Sequence, residues 1–274
     1  MKTIYYGNQQ HQVPVTIYPD PPTLGNALAQ TILQGIREAG RQGRRYLLGC
    51  PGGRSPQTTY QALGRLAAGQ DADLSNLVIV MMDEYLLPGP TGLIYCPEEA
   101  HNSCHRFARE DILAVLNRDL PSPRQVTECW FPDPAAPTAY DERIYAAGCI
   151  DLFILASGAS DGHVAFNPPG STVDSASRII PIADATRRDN MVTFPDFTSL
   201  DEVPTHGVSV GLGTIARLSK SAVLILHSTD KRYAVQRLAS CADFTPDWPV
   251  SIIYRCREAS ILLDSAAAGK EGKQ

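Results

Sequence analysis

The fold and the chemistry of this chain are both indicated by residues 150–167, which read IDLFILASGASDGHVAFN. The first seven residues of this stretch are apolar apart from Asp151, which is typical of a strand buried in a parallel sheet. Small residues follow, and then Asp161 and His163 stand on either side of a glycine. Because open α/β sheets bind ligands beyond the carboxyl ends of their strands, this imidazole and carboxylate predict a general acid/base with an orienting partner. The stretch alone leaves a surface turn with two polar residues as the alternative.

Similar apolar runs recur on both sides of this strand and alternate with helical patterns. Strands are expected at 15–18, 46–50, 77–82, 178–182, 208–210, 222–226 and 251–254. Helices are expected at 23–40, from 57, at 102–116, at 140–147, up to 218 and from 231. The alternation predicts an α/β fold: a Rossmann-like, mostly parallel sheet with helices on both faces, forming a three-layer sandwich. No change of composition marks a boundary, so one domain is expected over 1–274, with irregular loops at 86–101 and 121–137.

The composition narrows the classes of protein that this chain can belong to. Hydrophobic residues make up 43% of the 274 residues and charged residues 19%, which is ordinary for a globular protein. The formal net charge of -5 argues against a nucleic-acid-binding surface. The seven cysteines contain no C-x-x-C pair, so neither a zinc ribbon nor a disulfide framework is predicted. No segment has the apolar length of a signal peptide or a membrane span, and a soluble, cytoplasmic protein is expected.

A glycine-rich turn after the strand at 46–50 is a candidate phosphate site. Gly52, Gly53, Arg54 and Ser55 lie between this strand and a helix, where glycines let backbone N–H groups approach an anion. The turn lacks the lysine and spacing of a Walker loop. Lys231, at the start of a later helix, could add a positive charge. A purely structural turn and a solvated lysine are the alternatives.

Two further groups of polar residues have to be weighed. Asp83 and Glu84 follow a wholly apolar strand and could include a general base, although a helix N-cap explains them equally well. His101, Cys104 and His105 lie close together, but no further metal ligands follow at a sensible spacing. This second group is therefore interpreted as the start of a helix, and no metal site is predicted.

Taken together and in order, these segments resemble the glucosamine-6-phosphate deaminase/isomerase family and, more distantly, the 6-phosphogluconolactonases of the same superfamily. The resemblance extends over roughly residues 24–263, and several separate motifs agree in order. The matching segments are LGCPGGRSP at 48–56, MDEY at 82–85, DGHVAFN at 161–167, VGLGT at 210–214, and Lys231.

The resemblance implies an enzyme that acts on a small-molecule phosphosugar without a metal or an organic cofactor. It implies a phosphate on the backbone of 53–55, with the Ser55 hydroxyl and Lys231 as partners. Asp83 would move a proton between sugar carbons C2 and C1, and His163, supported by Asp161, would assist ring opening. A homo-oligomer is compatible with the resemblance.

The chain departs from the deaminase pattern at two places. Deaminases carry a glutamate where this chain has Pro168, so Asp161 is expected to be the only acidic partner of His163. They also use an arginine on the phosphate at about 191–193, where this chain has none; Arg187 and Arg188 lie just upstream. Lactonases do not need the glutamate, but they continue Asp-Gly-His with Thr-Ala-Ser rather than with residues of the type found at 164–167.

Three functions therefore remain open from the sequence. The first is an isomerase/deaminase that converts an amino-sugar 6-phosphate, such as glucosamine 6-phosphate, to a ketose phosphate and ammonia. The second is a lactone hydrolase of the 6-phosphogluconolactonase type. The third is a catalytically reduced protein that binds a phosphosugar.

Overall fold

A sheet of eight strands forms the centre of the protein in the computed structural model, which describes residues 4–270. In chain order the strands are β1 Ile4–Tyr6, β2 Val13–Tyr18, β3 Tyr46–Cys50, β4 Leu77–Met81, β5 Asp83–Gly89, β6 Gly92–Tyr95, β7 Glu128–Trp130, β8 Ile150–Ala156, β9 Arg178–Pro181, β10 His206–Ser209, β11 Ser219–Leu226 and β12 Ala259–Asp264. The strand order in the large sheet is β1-β2-β12-β11-β8-β3-β4-β7. Only β1 is antiparallel to its neighbour, so the predicted mostly parallel sheet is confirmed.

Helices cover both faces of this sheet. They are α1 Pro21–Arg41, α2 Gln57–Gly69, α3 Cys104–Phe107, α4 Ala114–Asn117, α5 Pro137–Ala146, α6 Asp184–Thr193, α7 Leu212–Arg217 and α8 Arg232–Ser240. A π-helical segment, Ala108–Leu113, joins α3 to α4. Side chains of β3 alternate between the two helical layers: Leu48 packs in the cluster that contains α1 and α2, and Leu47 packs in the cluster that contains α5 and α8. The predicted three-layer α/β sandwich is therefore confirmed. Within the described residues, no helix combines the length and the apolar character needed to cross a membrane.

Helix α1 shows how local sequence sets an element of this fold. Its predicted apolar stripe, from Leu24 to Ile36, is buried against the sheet. The helix begins at Pro21, before the predicted start at residue 23, and the missing N–H of Pro21 needs no partner in a first turn. Asp20 is the N-cap, and its carboxylate accepts a hydrogen bond from the Thr23 backbone N–H at 2.7 Å.

A second, antiparallel sheet corrects the predicted course of the chain after β4. Its strand order is β6-β5-β10-β9. Strand β5 begins at Asp83, so that only Met82 separates it from the end of β4. Asp83 and Glu84 therefore lie in a strand and not at a helix N-terminus. The loop expected at 86–101 is a hairpin over its first part, with Gly89 paired to Gly92. Its proline and glycine residues mark the hairpin turn, which a reading by composition alone takes for irregular structure.

Residues 251–254 were wrongly expected to form the last strand. They lie in a 3₁₀ helix, Pro249–Arg255, and the last strand is β12, which lies between β2 and β11 in the sheet. Ile252 and Ile253 are both fully buried, and a short apolar run cannot be assigned to strand or helix by periodicity alone. The short strands β1 and β7 and helix α6 were not predicted.

The order of the strands places a crevice between β3 and β8. These two strands are neighbours, but from β3 the chain continues to β4 and β7 on one side, and from β8 it continues to β11 on the other. Such a reversal of strand order separates the loops at the carboxyl ends and leaves room for a ligand.

Candidate active site

A cavity of about 610 Å³ lies at the carboxyl ends of β4, β3, β8 and β11, which are neighbours in the sheet. The residues predicted from the sequence that line it are Gly52, Gly53, Arg54, Ser55, Asp83, His163 and Lys231. Asp161 does not line the cavity but lies against His163. The structure thus brings together, in one place, side chains that are far apart in the sequence.

The loop at 52–55 turns sharply at Gly53. Gly53 has a φ of +80°, which favours glycine, and no atom lies within 4 Å of where its Cβ would stand. His227 closes the loop from the other side, because its Nε2 lies 2.9 Å from the Ser55 carbonyl oxygen. The Lys231 ammonium donates to the Ser157 carbonyl at 2.9 Å. Burial lowers the pKa of Lys231, and nearby carboxylates partly oppose this effect.

Asp83 is a buried carboxyl at the start of β5, with 7% of its surface exposed. Burial raises its pKa to about 7; the hydrogen bond from Cys104 opposes this rise, the charge of Glu84 adds to it, and His163 opposes it. The Cys104 Sγ lies 3.5 Å from an Asp83 oxygen. A carboxyl group whose pKa is near neutrality can both accept and return a proton at physiological pH.

His163 is held by a carboxylate and a helix. Its Nδ1 lies 2.7 Å from the Asp161 Oδ1, and the Thr186 hydroxyl of α6 donates to the Asp161 Oδ2 at 3.0 Å. Burial alone would raise the pKa of Asp161, but the hydrogen bond and the charge of His163 bring it to about 2. With Asp161 ionised and bound to Nδ1–H, the Nε2 of the neutral ring is left as a proton acceptor.

Gly158 explains why small residues follow β8. A Cβ at this position would lie 2.2 Å from the His163 Nδ1, and the Gly158 N–H donates to the His163 carbonyl at 2.9 Å. Any larger residue would displace the imidazole, so the site requires glycine here.

Glu84, next to Asp83, fastens α3 to β5. Its fully buried carboxylate accepts hydrogen bonds from the backbone N–H groups of Tyr85, Cys104 and His105, and it lies 2.7 Å from the His105 Nδ1. Burial would raise the pKa of Glu84, but these hydrogen bonds lower it. The interpretation of residues near 104 as a helix start is confirmed, since α3 begins at Cys104. Glu84 thereby sets the position of Cys104 against Asp83.

A second acid, Asp189, lies near His163. Among the described residues, one group of three could offer metal ligands: Asp161, His163 and Asp189, with one ligand-type atom of each within 4.8 Å of the others. Asp161 and His163 are already hydrogen-bonded to each other, which leaves them poorly disposed to share a cation. Asp161 is the acid within hydrogen-bond distance of His163, and α6, which was not predicted, brings Asp189 to within 4.8 Å of the pair.

The basic side chains that line the cavity are Arg54 and Lys231. Arg187, one of the two upstream arginines, does not replace the arginine missing from 191–193. It is 8% exposed, and its guanidinium donates to the Leu200 and Val203 carbonyls. Val192 lines the cavity instead and is 67% exposed. The part of the cavity beside the loop at 52–55 therefore holds less positive charge than the resemblance implies.

A larger hollow of about 1020 Å³ lies at the opposite end of the sheet, beside α1. Its charged groups are engaged elsewhere: Arg37 donates to Gln70 and Arg44 donates to Asp151. No acid and imidazole converge there, so the smaller cavity is the candidate active site.

Several residues that line the cavity were not predicted from the sequence. His227 directly follows β11, so the rule that drew attention to other strand ends could have identified it. Asp189 and Asn190 lie on α6, whose polar sequence has no clear apolar stripe. Cys104 was noticed only as part of a helix start.

Comparisons with known proteins agree with this geometry. The family described as glucosamine-6-phosphate isomerases/6-phosphogluconolactonase matches residues 19–262. A glucosamine-6-phosphate deaminase of Mycolicibacterium smegmatis is 34% identical over 257 residues, covering 93% of this chain and 91% of the relative. One of Bifidobacterium longum subsp. infantis is 33% identical over 230 residues, covering 82% and 81%.

Solved structures show the same fold. A monomeric glucosamine-6-phosphate deaminase superposes with a TM-score of 0.78 at 24% identity, covering 94% of this chain and 99% of its own. A 6-phosphogluconolactonase from Shewanella baltica superposes with a TM-score of 0.64 at 17% identity, covering 91% and 97%. The match over most of the sequence and the shared fold establish that this chain belongs to the glucosamine-6-phosphate isomerase/6-phosphogluconolactonase family.

Proposed function

We propose that this protein is an aldose–ketose isomerase/deaminase that converts glucosamine 6-phosphate and water to fructose 6-phosphate and ammonia. One observation carries the proposal: a buried carboxyl with a pKa of about 7, Asp83, shares a cavity with His163 and a glycine-rich anion loop. The deaminase names of the relatives that cover most of the chain support it. The protein would act in the cytoplasm as one domain, without a metal or an organic cofactor.

The catalytic assignments follow from the chemistry of each group. The phosphate would bind the loop at 52–55, with Ser55, Arg54 and the Lys231 ammonium as partners. His163 would accept the proton of the C1 hydroxyl and return a proton to the ring oxygen as the C1–O5 bond breaks. Asp161 would hold the imidazole in the required orientation.

Asp83 would act once the ring is open. Its ionised carboxylate would remove the proton from C2 and deliver it to C1, while one proton of the substrate's own ammonium group passes to O1. C1 then becomes a CH2OH group and C2 an iminium group. Water would then add to C2 and ammonia would leave, so that every atom is accounted for in the ketose phosphate and the released ammonia. One positioned base is sufficient for this transfer, and Asp83 is a buried acid that lines the cavity.

The direct test is turnover of glucosamine 6-phosphate, with fructose 6-phosphate and ammonia both measured. We expect the two products in equal amounts with the wild-type protein and a much lower rate with Asp83→Asn. Wild-type turnover no greater than that of Asp83→Asn would contradict the proposal.

Pro168 favours a second candidate, a lactone hydrolase acting on 6-phosphogluconolactone. Opening a lactone requires an activated water and no proton transfer between carbons, so a carboxylate at 168 would not be needed. A coupled lactonase assay on protein free of contaminating lactonase distinguishes the two. Hydrolysis no faster than the spontaneous rate would remove this candidate. Thermal stabilisation by phosphosugars without either turnover would instead indicate a phosphosugar-binding protein.

A further inference from the structure

Helix α6 presents two polar side chains to the turn that follows β8. Thr186 and Asp189 are three residues apart and therefore lie on the same face of the helix. Thr186 donates to Asp161, and Asp189 accepts a hydrogen bond from the Ser160 hydroxyl at 3.1 Å. The helix is thus attached to the turn at Ser160 and Asp161, just before His163.

Asp189 and Asp161 differ in their position relative to the cavity. Asp189 lines the cavity, whereas Asp161 does not. One atom of each carboxylate lies within 4.8 Å of a nitrogen of His163. Asp161 accepts from three donors: the His163 ring, the His163 backbone N–H and the Thr186 hydroxyl. Asp189 accepts from the Ser160 hydroxyl and keeps acceptor capacity toward the cavity.

We propose that Asp189 is a second positioning carboxylate for His163, whose negative charge stabilises the imidazolium formed during ring opening of the substrate. This inference rests on the proposed isomerase/deaminase function. Pro168 offers no carboxylate five residues after His163, and α6 supplies one from a different element.

The charges around His163 support this role. Asp161 and Asp189 approach it from the turn after β8 and from α6, Asp83 acts on it from β5, and Lys231 lies near both Asp161 and Asp189. A cation formed in a partly buried place is costly unless acids compensate for its charge. Asp161 is already bound to Nδ1, so a second acid lowers the cost of a proton on Nε2.

The substitution Asp189→Asn removes the charge and keeps the shape. We expect kcat with glucosamine 6-phosphate to fall about tenfold or more, because part of the acid–base contribution is lost. The KM should stay unchanged or fall, since the lost charge lies near Lys231, the proposed partner of the phosphate. Asp189→Glu should retain more of kcat than Asp189→Asn.

Ser160→Ala is the matched control. It removes the hydrogen bond that Asp189 accepts but leaves the carboxylate in the cavity. If Asp189 only fastened α6, both variants would lose the same activity. We expect Ser160→Ala to stay within about twofold of wild type in kcat and KM.

A readout that needs no turnover is the titration of the His163 ring followed by NMR. The pH midpoint of this titration should be lower in Asp189→Asn than in the wild type, because a neighbouring negative charge favours imidazolium. Removal of divalent metals with EDTA should change neither the titration nor the rate of the wild-type enzyme.

The outcomes separate the inference from the function on which it rests. Wild-type protein without deaminase turnover would contradict the proposed function, and the NMR titration would still decide the role of Asp189. An unchanged titration midpoint in Asp189→Asn, equal losses in Asp189→Asn and Ser160→Ala, or a strict metal requirement would each overturn the inference.

Discussion

At the scale of single residues, burial favours the neutral form of Asp83, whereas the proposed mechanism uses its ionised form as a base. Its pKa in the folded protein, about 7, exceeds the ordinary value of 3.8 because the group is buried. A proton therefore binds more tightly in the folded state. The stability associated with this proton is fully present below about pH 4 and is lost as the pH rises through 7.

The substitution Asp83→Asn should therefore stabilise the protein while inactivating it. At pH 8 we expect the free energy of unfolding to rise by about 2–4 kcal/mol, because a buried charge is replaced by a neutral amide. Near pH 4 the wild type and the variant should be equally stable. Urea denaturation at both pH values measures this, and equal stability at pH 8 would show that Asp83 is not held in a charge-excluding environment.

The same carboxyl should govern the pH dependence of turnover. Because the proposed base is the ionised form of Asp83, kcat/KM should rise with pH and level off above an apparent pKa of about 7. A profile already level at pH 5 would assign the base to a more acidic group. Initial rates between pH 5 and pH 9, in buffers of constant ionic strength, provide the measurement.

Asp161 is expected to serve catalysis and not binding. Asp161→Asn should lower kcat by about a hundredfold or more, up to the roughly 10⁴-fold seen when the orienting carboxylate of a hydrolase triad is lost. Binding of fructose 6-phosphate, measured by calorimetry, should change little, because the anion loop follows a different strand, β3. Wild-type turnover in Asp161→Asn would show that another group, such as Asp189, orients His163.

At the scale of elements, the hairpin and α3 depend on Glu84. Its carboxylate has no exposed surface and accepts from three backbone N–H groups. Glu84→Ala leaves these donors and His105 without their partner, and we expect a loss of about 3–5 kcal/mol in the free energy of unfolding. Glu110→Gln, an exposed acid on the adjoining helical segment, is the control and should leave the urea midpoint almost unchanged. Equal midpoints for the two variants would contradict this anchoring role.

At the scale of the whole molecule, a ligand bound in the cavity at the carboxyl ends of the strands should raise the free energy of unfolding. Fructose 6-phosphate at about 100 times its Kd should add about 2.7 kcal/mol, which corresponds to a rise in Tm of roughly 5–10 °C for a protein of this size. Lys231→Met should remove most of this rise. Lys220→Met makes the same change of charge at the start of β11, beside Asp151, and should keep it.

Differential scanning fluorimetry of the three proteins, with and without the ligand, checks this expectation. A full rise in Tm with Lys231→Met would place the phosphate away from the loop at 52–55. A rise abolished equally by Lys220→Met would indicate binding at the opposite end of the sheet.

Strands buried on both faces could be predicted because each is a continuous apolar run of ordinary strand length, as at 77–81 and 150–156. Helices with a clear apolar stripe, such as α1, could be predicted because their buried residues recur every three or four positions. Helix α6 could not, because its sequence is mostly polar and its position depends on contacts with the turn after β8. Residues 251–254 failed because full burial removes the alternation that separates a strand from a helix.

The sequence by itself determined the α/β class, the anion loop, and the pairing of Asp161 with His163, because each depends on neighbours in the chain. Only the tertiary structure decided that Asp83 is buried beside Cys104, that Glu84 fastens α3, and that Asp189 lies next to His163. These contacts join residues from separate elements. Their pKa values and hydrogen bonds follow from burial and distance. Burial and distance depend on how separate segments pack together, so no single stretch of sequence determines them.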